Sequence, residues 1–155
     1  MKINLIVPLM SIFFFLGCKN SKKDISSNLL SSYLDYSSFE DKFLGGIKMI
    51  PIQTPKGEFK VWTKRVGNNP NIKVLLLHGG PGMTHEIYES FDSFFPNAQI
   101  EYYYYDQLGS YYSDKPEDLS LWDLDRFVEE VEQVRIALNL DSSNFYLFGQ
   151  SWGGI

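Results

Sequence analysis

The feature that most restricts how this chain folds is a short apolar run, Phe145-Tyr146-Leu147-Phe148. It leads straight into Gly149-Gln150-Ser151-Trp152-Gly153-Gly154. A brief apolar segment bounded by turn residues reads as a strand, here Asn144 to Phe148. The glycines two positions either side of Ser151 then read as a steric requirement. A serine thrust out of a sharp strand-to-helix turn sits on a strained backbone, and side chains at the flanking positions would collide with the returning chain. With Gly and Ser each near 7% of residues, G-x-S-x-G arises by chance in roughly 5% of chains this long. Its position directly after an apolar strand gives it weight, and Ser151 is the candidate nucleophile.

The elements upstream fit the same frame. Gly46 to Ile52 and Glu58 to Val66 are apolar-polar runs rich in β-branched and aromatic residues. Thr54-Pro55-Lys56-Gly57 between them carries a type I turn signal, so the pair predicts a hairpin. Asn68 to Asn71 is a loop, and Ile72 to Leu77, apolar apart from Lys73, suits a strand buried on both faces. Glu86 to Phe95 predicts a short helix stopped by Pro96. Ile100 to Tyr105, with four consecutive tyrosines, predicts another strand. The clearest helix is expected after Ser120, with Ser120 as N-cap, Asp123 at the capping-box position and Leu119 with Leu124 as a hydrophobic staple. Leu121, Leu124, Val128, Val131, Val134 and Leu138 form its apolar stripe. Asp125, Glu129, Glu130 and Glu132 are expected on a solvated face. A hairpin followed by strand, helix, strand, helix, strand predicts an α/β fold with a mainly parallel sheet.

Two further motifs follow strands. His78-Gly79-Gly80-Pro81-Gly82 comes directly after the Ile72–Leu77 run. Acyl transfer needs two N–H donors aimed at the developing oxyanion. The residue after the nucleophile, Trp152, supplies one. A glycine turn lets the backbone approach closely and supplies the other, Gly80, with Gly79 as the fallback. Pro81 and Gly82 shape that turn. Asp106-Gln107-Leu108-Gly109-Ser110 follows the tyrosine strand and is expected at the rim of the site, where ligands of such sheets bind. In hydrolases with this elbow the chain order is nucleophile, then Asp or Glu, then His. His78 and Asp106 both precede Ser151. His78 is therefore expected to prop the glycine turn, and Asp106 to fix its loop through backbone hydrogen bonds. His85 reads as a surface or helix-start residue.

Taken together, the segments 78–82, 106–110 and 149–154 resemble those of proline iminopeptidases, α/β-hydrolases that release an N-terminal proline from peptides. The resemblance runs from about Gly46 to Ile155. It implies an α/β-hydrolase fold truncated after the nucleophile elbow, with an N-terminal hairpin and three mainly parallel strands with helices. It implies attack by Ser151 on a short peptide with an N-terminal proline, giving an acyl-enzyme. No metal or cofactor is called for. The family's catalytic Asp and His, its cap domain and the acidic groups that hold the substrate amine all lie farther along than residue 155. The chain alone is thus expected to be a truncated form with an unpaired strand edge and no useful activity. Tyr111 stands where the family often has the second glycine of Gly-x-Gly-x-Ser, and Met83 where glycine is common. Competing readings are an esterase, amidase or lactonase on the same fold, or a non-catalytic lipoprotein that only binds. Epoxide hydrolase and dehalogenase chemistry is disfavoured, because those enzymes place Asp at the elbow.

The N-terminus has a separate logic. Lys2 followed by the apolar stretch Ile3 to Leu16 reads as a signal segment over 1–17, too short to span a bilayer comfortably. Leu16-Gly17-Cys18 resembles the lipobox of bacterial lipoproteins, although Phe15 stands where an aliphatic residue is more usual. Cys18 would carry the lipid, placing the protein in the bacterial cell envelope, on its periplasmic or outer face, with the membrane as a partner. An ordinary cleaved signal with an incidental cysteine is the alternative. Cys18 is the single cysteine, so no internal disulfide forms. Residues 18–42, serine-rich and polar, read as a tether to a domain over 43–155. Leu29 to Tyr36 is a candidate helical turn packed on that domain. A composition of 44% hydrophobic and 21% charged residues supports one domain with a real core, and 16% aromatic residues suit an aromatic-lined pocket. The net charge of −5 without a basic stripe excludes nucleic acid as an expected partner.

Overall fold

The structure, a computed structural model, describes residues 31–155. The segment expected as a signal and the candidate lipid site Cys18 lie outside the described residues. Five strands form one sheet: β1 (Ile47–Thr54), β2 (Gly57–Val66), β3 (Lys73–Leu77), β4 (Glu101–Asp106) and β5 (Phe145–Gly149), in the order β1-β2-β4-β3-β5. The expected hairpin closes at the Thr54–Gly57 pair. Thr54 Oγ1 accepts from the Lys56 N–H at 3.1 Å and donates to the Gly57 carbonyl at 2.8 Å, which fixes the turn. β2 runs antiparallel to β4, and β3 is parallel to both β4 and β5. The segments after β3, β4 and β5 therefore leave from the same edge of the sheet.

The four tyrosines follow from β-strand geometry. Successive side chains point to opposite faces. Tyr103 and Tyr105 join Leu75, Leu77, Ile50 and Val61 on the face covered by helix α1 (Leu124–Ala137). Tyr102 and Tyr104 join Val74, Leu76 and Trp62 on the other face, beneath Tyr88. Every residue of β4 is buried, so each hydroxyl needs a partner. Tyr102 and Tyr104 each donate to Asp92 Oδ1 at 2.5 Å, Tyr103 donates to Glu101 Oε1 at 2.5 Å, and Tyr105 donates to Glu130. Burial, reinforced by these carboxylates, pushes all four phenols above the ordinary range, so they remain protonated donors.

The helical elements depart from expectation in detail. The segment expected as a helix over Glu86–Phe95 is a 3-10 helix over His85–Ser93, followed by a second 3-10 turn at Pro96–Ala98. Residues three apart eclipse in that geometry. Tyr88 and Phe91 accordingly stack at 5.5 Å. The N-cap of α1 is Asp123, not Ser120: the Asp123 carboxylate accepts from the Arg126 N–H at 3.2 Å. Ser120 is unavailable, because Asp118 takes both its N–H (2.9 Å) and its hydroxyl (2.6 Å) to cap a separate turn, Leu119–Leu121. Leu119 is exposed, so no staple forms. In the expected stripe Leu121 and Val134 are buried, whereas Leu124 and Val128 face outward; Phe127, outside the stripe, is buried instead. Glu130 is not on a solvated face. It is 1% exposed and binds Tyr105 of β4.

The described part of the 18–42 stretch packs on the sheet. Tyr33 is buried and donates to the Ile100 carbonyl at 2.7 Å. Tyr36 accepts from the Gly67 N–H at 2.8 Å. Arg65 lies between the Tyr36 and Phe39 rings and pairs with both oxygens of Asp41. At the other margin β5 is the edge strand among the described residues, with Tyr146, Leu147 and Phe148 each about half exposed.

Candidate active site

The turn after β5 has the strained geometry its sequence requires. Gln150 is extended, Ser151 has φ 55° in the left-handed region, and Ser151–Gly154 forms a 3-10 turn. A Cβ at Gly149 would overlap the Gly153 carbonyl oxygen, and a Cβ at Gly153 would overlap the Leu77 carbonyl and lie 2.8 Å from that of His78. Both glycines are therefore fixed by close backbone approach, one within the elbow and one against the end of β3. The Gln150 N–H donates to the Leu77 carbonyl at 3.3 Å, which hangs the elbow from β3. Ser151 itself is exposed.

The glycine turn after β3 meets this serine. A Cβ at Gly79 would lie 3.2 Å from both the Gln150 carbonyl oxygen and Ser151 Cβ, so the Gly79 backbone packs against Ser151. Gly80, at φ 125°, folds the turn back on itself: a Cβ there would lie 2.6 Å from the Gly82 nitrogen. Pro81 and Gly82 are exposed, and Gly82 faces the Trp122 ring. Trp152 projects to the other side, edge-on to Phe127 at 5.6 Å. There it borders a cleft of about 500 Å³ whose apolar walls include Leu124, Val128 and Leu147.

His78 is fully buried. Its Nδ1 is 2.9 Å from the Gly79 carbonyl, and its Nε2 accepts from the Gln107 N–H at 3.1 Å. Because Nε2 accepts, the proton resides on Nδ1 and donates to Gly79. Burial lowers the imidazole's proton affinity, which keeps the ring neutral. With both nitrogens engaged, His78 has none left to act as a base, and its ring joins the Gly79 carbonyl to the Gln107 N–H. Gln107 also donates through Nε2 to the His78 carbonyl at 3.3 Å. Its Oε1 is buried without a partner among the described residues, and the residue borders the same cleft.

Asp106 is fully buried and accepts from the His85 N–H at 2.9 Å and the Tyr112 N–H at 3.4 Å. His85 is corrected in one respect. It starts a helix, but it is not on the surface: it is 7% exposed, bonded through Nδ1 to the Asp106 carboxylate and stacked on Trp62 at 4.5 Å. Tyr111, in place of a family glycine, has a positive φ of 23°. Two residues that sequence reasoning missed complete the loop support. Glu130 accepts from the Leu108 N–H at 2.9 Å and from Arg126, and Arg126 donates to the Leu121 carbonyl. Burial pushes the Glu130 carboxyl up, while Arg126, Tyr105 and the Leu108 N–H pull it down. The i,i+4 spacing of Arg126 and Glu130 was the available signal.

A strained serine at the carboxyl ends of the parallel strands β4, β3 and β5, packed on a glycine turn from the neighbouring strand, is the arrangement of the α/β hydrolases. Residues 73–155 match the family described as alpha/beta hydrolase fold, and the chain belongs to that family. Among curated proteins, it is 69% identical over 107 residues to the proline iminopeptidase of Flavobacterium johnsoniae. It is 67% identical over 107 residues to the proline iminopeptidase of Elizabethkingia meningoseptica. Each match covers 69% of this chain and 36% of the relative, so the chain spans about a third of the length of the curated relatives it matches. The crystal structure of the Mycobacterium smegmatis proline iminopeptidase aligns with a TM-score of 0.59 at 26% identity, covering 70% of this chain and 36% of that one.

Proposed function

We propose that this chain forms the nucleophile-bearing part of a serine hydrolase that releases an N-terminal proline from short peptides. Ser151 Oγ attacks the carbonyl of the proline residue, its proton passing to a base supplied from outside the described residues. The tetrahedral oxyanion is held by the N–H groups of Trp152 and Gly80, with Gly79 as the alternative second donor. Collapse expels the peptide amine, its nitrogen taking the proton back from that base, and leaves a prolyl ester on Ser151, which water hydrolyses to free proline and serine. The observation that carries this reading is Ser151 at positive φ, packed on the Gly79 backbone. The likeness to curated proline iminopeptidases supplies the substrate. A fluorogenic N-terminal-proline substrate given to the full-length protein and to Ser151→Ala tests it. Hydrolysis that disappears in the variant is expected, and equal rates in the two would refute it. An ester panel cleaved in preference to the peptide would favour the esterase reading on the same serine.

The N-terminal reading belongs to the same proposal and rests on sequence alone. A lipid on Cys18 would hold the enzyme at the bacterial envelope. Metabolic labelling with an alkyne fatty acid should mark the wild type and spare Cys18→Ala; equal labelling would overturn it.

A further inference from the structure

Two loops frame Ser151, the turn after β3 (residues 78–84) and the loop after β4 (107–113). Side chains join these loops, or the residues that flank them, at three places. His78 and Gln107 exchange two hydrogen bonds next to Ser151. Ser110 Oγ donates to the Met83 carbonyl midway. At the far end His85 meets Asp106. In this last link both partners are ionisable side chains, and both are buried. Asp106 Oδ1 takes the His85 backbone N–H at 2.9 Å, while His85 Nδ1 lies 2.9 Å from Oδ1 and 3.0 Å from Oδ2. The ring bond spans both oxygens and so fixes the rotation of the carboxylate, whose Oδ2 also receives the Tyr112 N–H. The ring is held flat against Trp62 of β2, with Tyr104, Tyr111 and Tyr112 at 5.4, 5.7 and 5.9 Å. The loop is pinned to the same strand, because the Trp62 N–H donates to Ser113 Oγ at 2.8 Å and Ser113 donates to the Asp106 carbonyl at 2.5 Å.

We propose that His85 is a positioning residue for the serine site: its Nδ1–H bond to Asp106 locks the glycine turn to the loop after β4 and so sets where the Gly79–Gly80 backbone stands relative to Ser151. The catalytic consequence rests on the serine-hydrolase reading above; the mechanical link does not. A buried carboxylate that loses a charge-assisted donor becomes under-satisfied, and the chain around it shifts to recover a partner. The turn is well placed to transmit that shift. Gly79 is already in close contact with Ser151, and Met83, next to the Ser110 link, has its sulfur 3.4 Å from the position of a Gly79 Cβ. A displacement of the order of 1 Å in an oriented site costs up to about a hundredfold in rate.

Two substitutions separate the hydrogen bond from the packing. His85→Phe keeps the aromatic stack and removes the donor. His85→Asn loses the stack and keeps an amide N–H near the position of Nδ1. In the full-length protein, hydrogen exchange and the rate of fluorophosphonate labelling are measured for wild type and both variants. In His85→Phe, amides of residues 79–84 and 107–112 are expected to exchange faster together, and labelling is expected to slow by about tenfold or more. His85→Asn is expected to recover most of both. Unchanged exchange at 79–84 in His85→Phe, labelling as fast as wild type, or a His85→Asn variant as impaired as His85→Phe would each overturn the proposal. A wild-type protein that the probe fails to label would refute the serine-hydrolase reading and the catalytic half of this one, while the exchange comparison still decides the link.

Discussion

The two sides of Ser151 are built on different principles. Toward β3 and β4 the serine rests on polar groups that bond one another: His78 with Gly79 and Gln107, Asp106 with His85 and Tyr112, Glu130 with Tyr105, Leu108 and Arg126. Toward α1 and the edge strand β5 its neighbour Trp152 borders apolar surface, with Leu124, Val128 and Leu147 between 42% and 60% exposed. Apolar contact is non-directional and tolerates small displacements. Buried hydrogen bonds are directional and costly to leave unmade, so they specify one arrangement. The polar side is accordingly expected to set the position of the glycine turn, while the apolar side supplies surface for packing without fixing the angle of the serine.

Breaking the polar side should have the larger effect. Glu130→Ala leaves Arg126, 6% exposed, without its buried partner and strips the acceptor from the Leu108 N–H. A loss of about 3–5 kcal/mol in urea unfolding is expected, the cost of breaking a buried ion pair by removing one member. A loss below about 1 kcal/mol, typical of exposed pairs, would place Glu130 in solvent and remove the contrast. Changing the apolar side should barely move unfolding but should alter association. Leu147→Lys, on the exposed face of an edge strand, is expected to change stability by no more than about 0.5 kcal/mol. It should reduce self-association of the 155-residue chain in sedimentation velocity, because a lysine blunts an exposed apolar edge. An unaltered association constant would show that this surface is not sticky.

What the sequence disclosed and what it hid follow the same division. The strands, the hairpin and the elbow were legible because their causes are local: apolar runs, Pro and Gly at a turn, and glycines two residues either side of Ser151. The order of His78 and Asp106 along the chain, both before Ser151, argued only against reading them as the base and the acid of this fold. The buried state of His85 and Glu130 was not legible, because their partners come from elements 21 to 25 residues away. A helical stripe assigns a charged residue to solvent unless a tertiary partner is known. The cap of α1 was misplaced for a local reason. Two aspartates five residues apart cap two successive turns, and the first, Asp118, occupies the serine that looked like the cap. The exposure of Leu124 and Val128 reflects which surface β5 leaves open, and no periodicity encodes that.

A left-handed elbow that presents Ser151 to the glycine turn should make its hydroxyl reactive. Treating the full-length protein with a fluorophosphonate and mapping the adduct by peptide mass spectrometry tests it directly. A single adduct on Ser151 is expected, lost in Gly153→Ala, where the added methyl would collide with the backbone at the end of β3. An adduct on another residue, or undiminished labelling of Ser151 in Gly153→Ala, would contradict it.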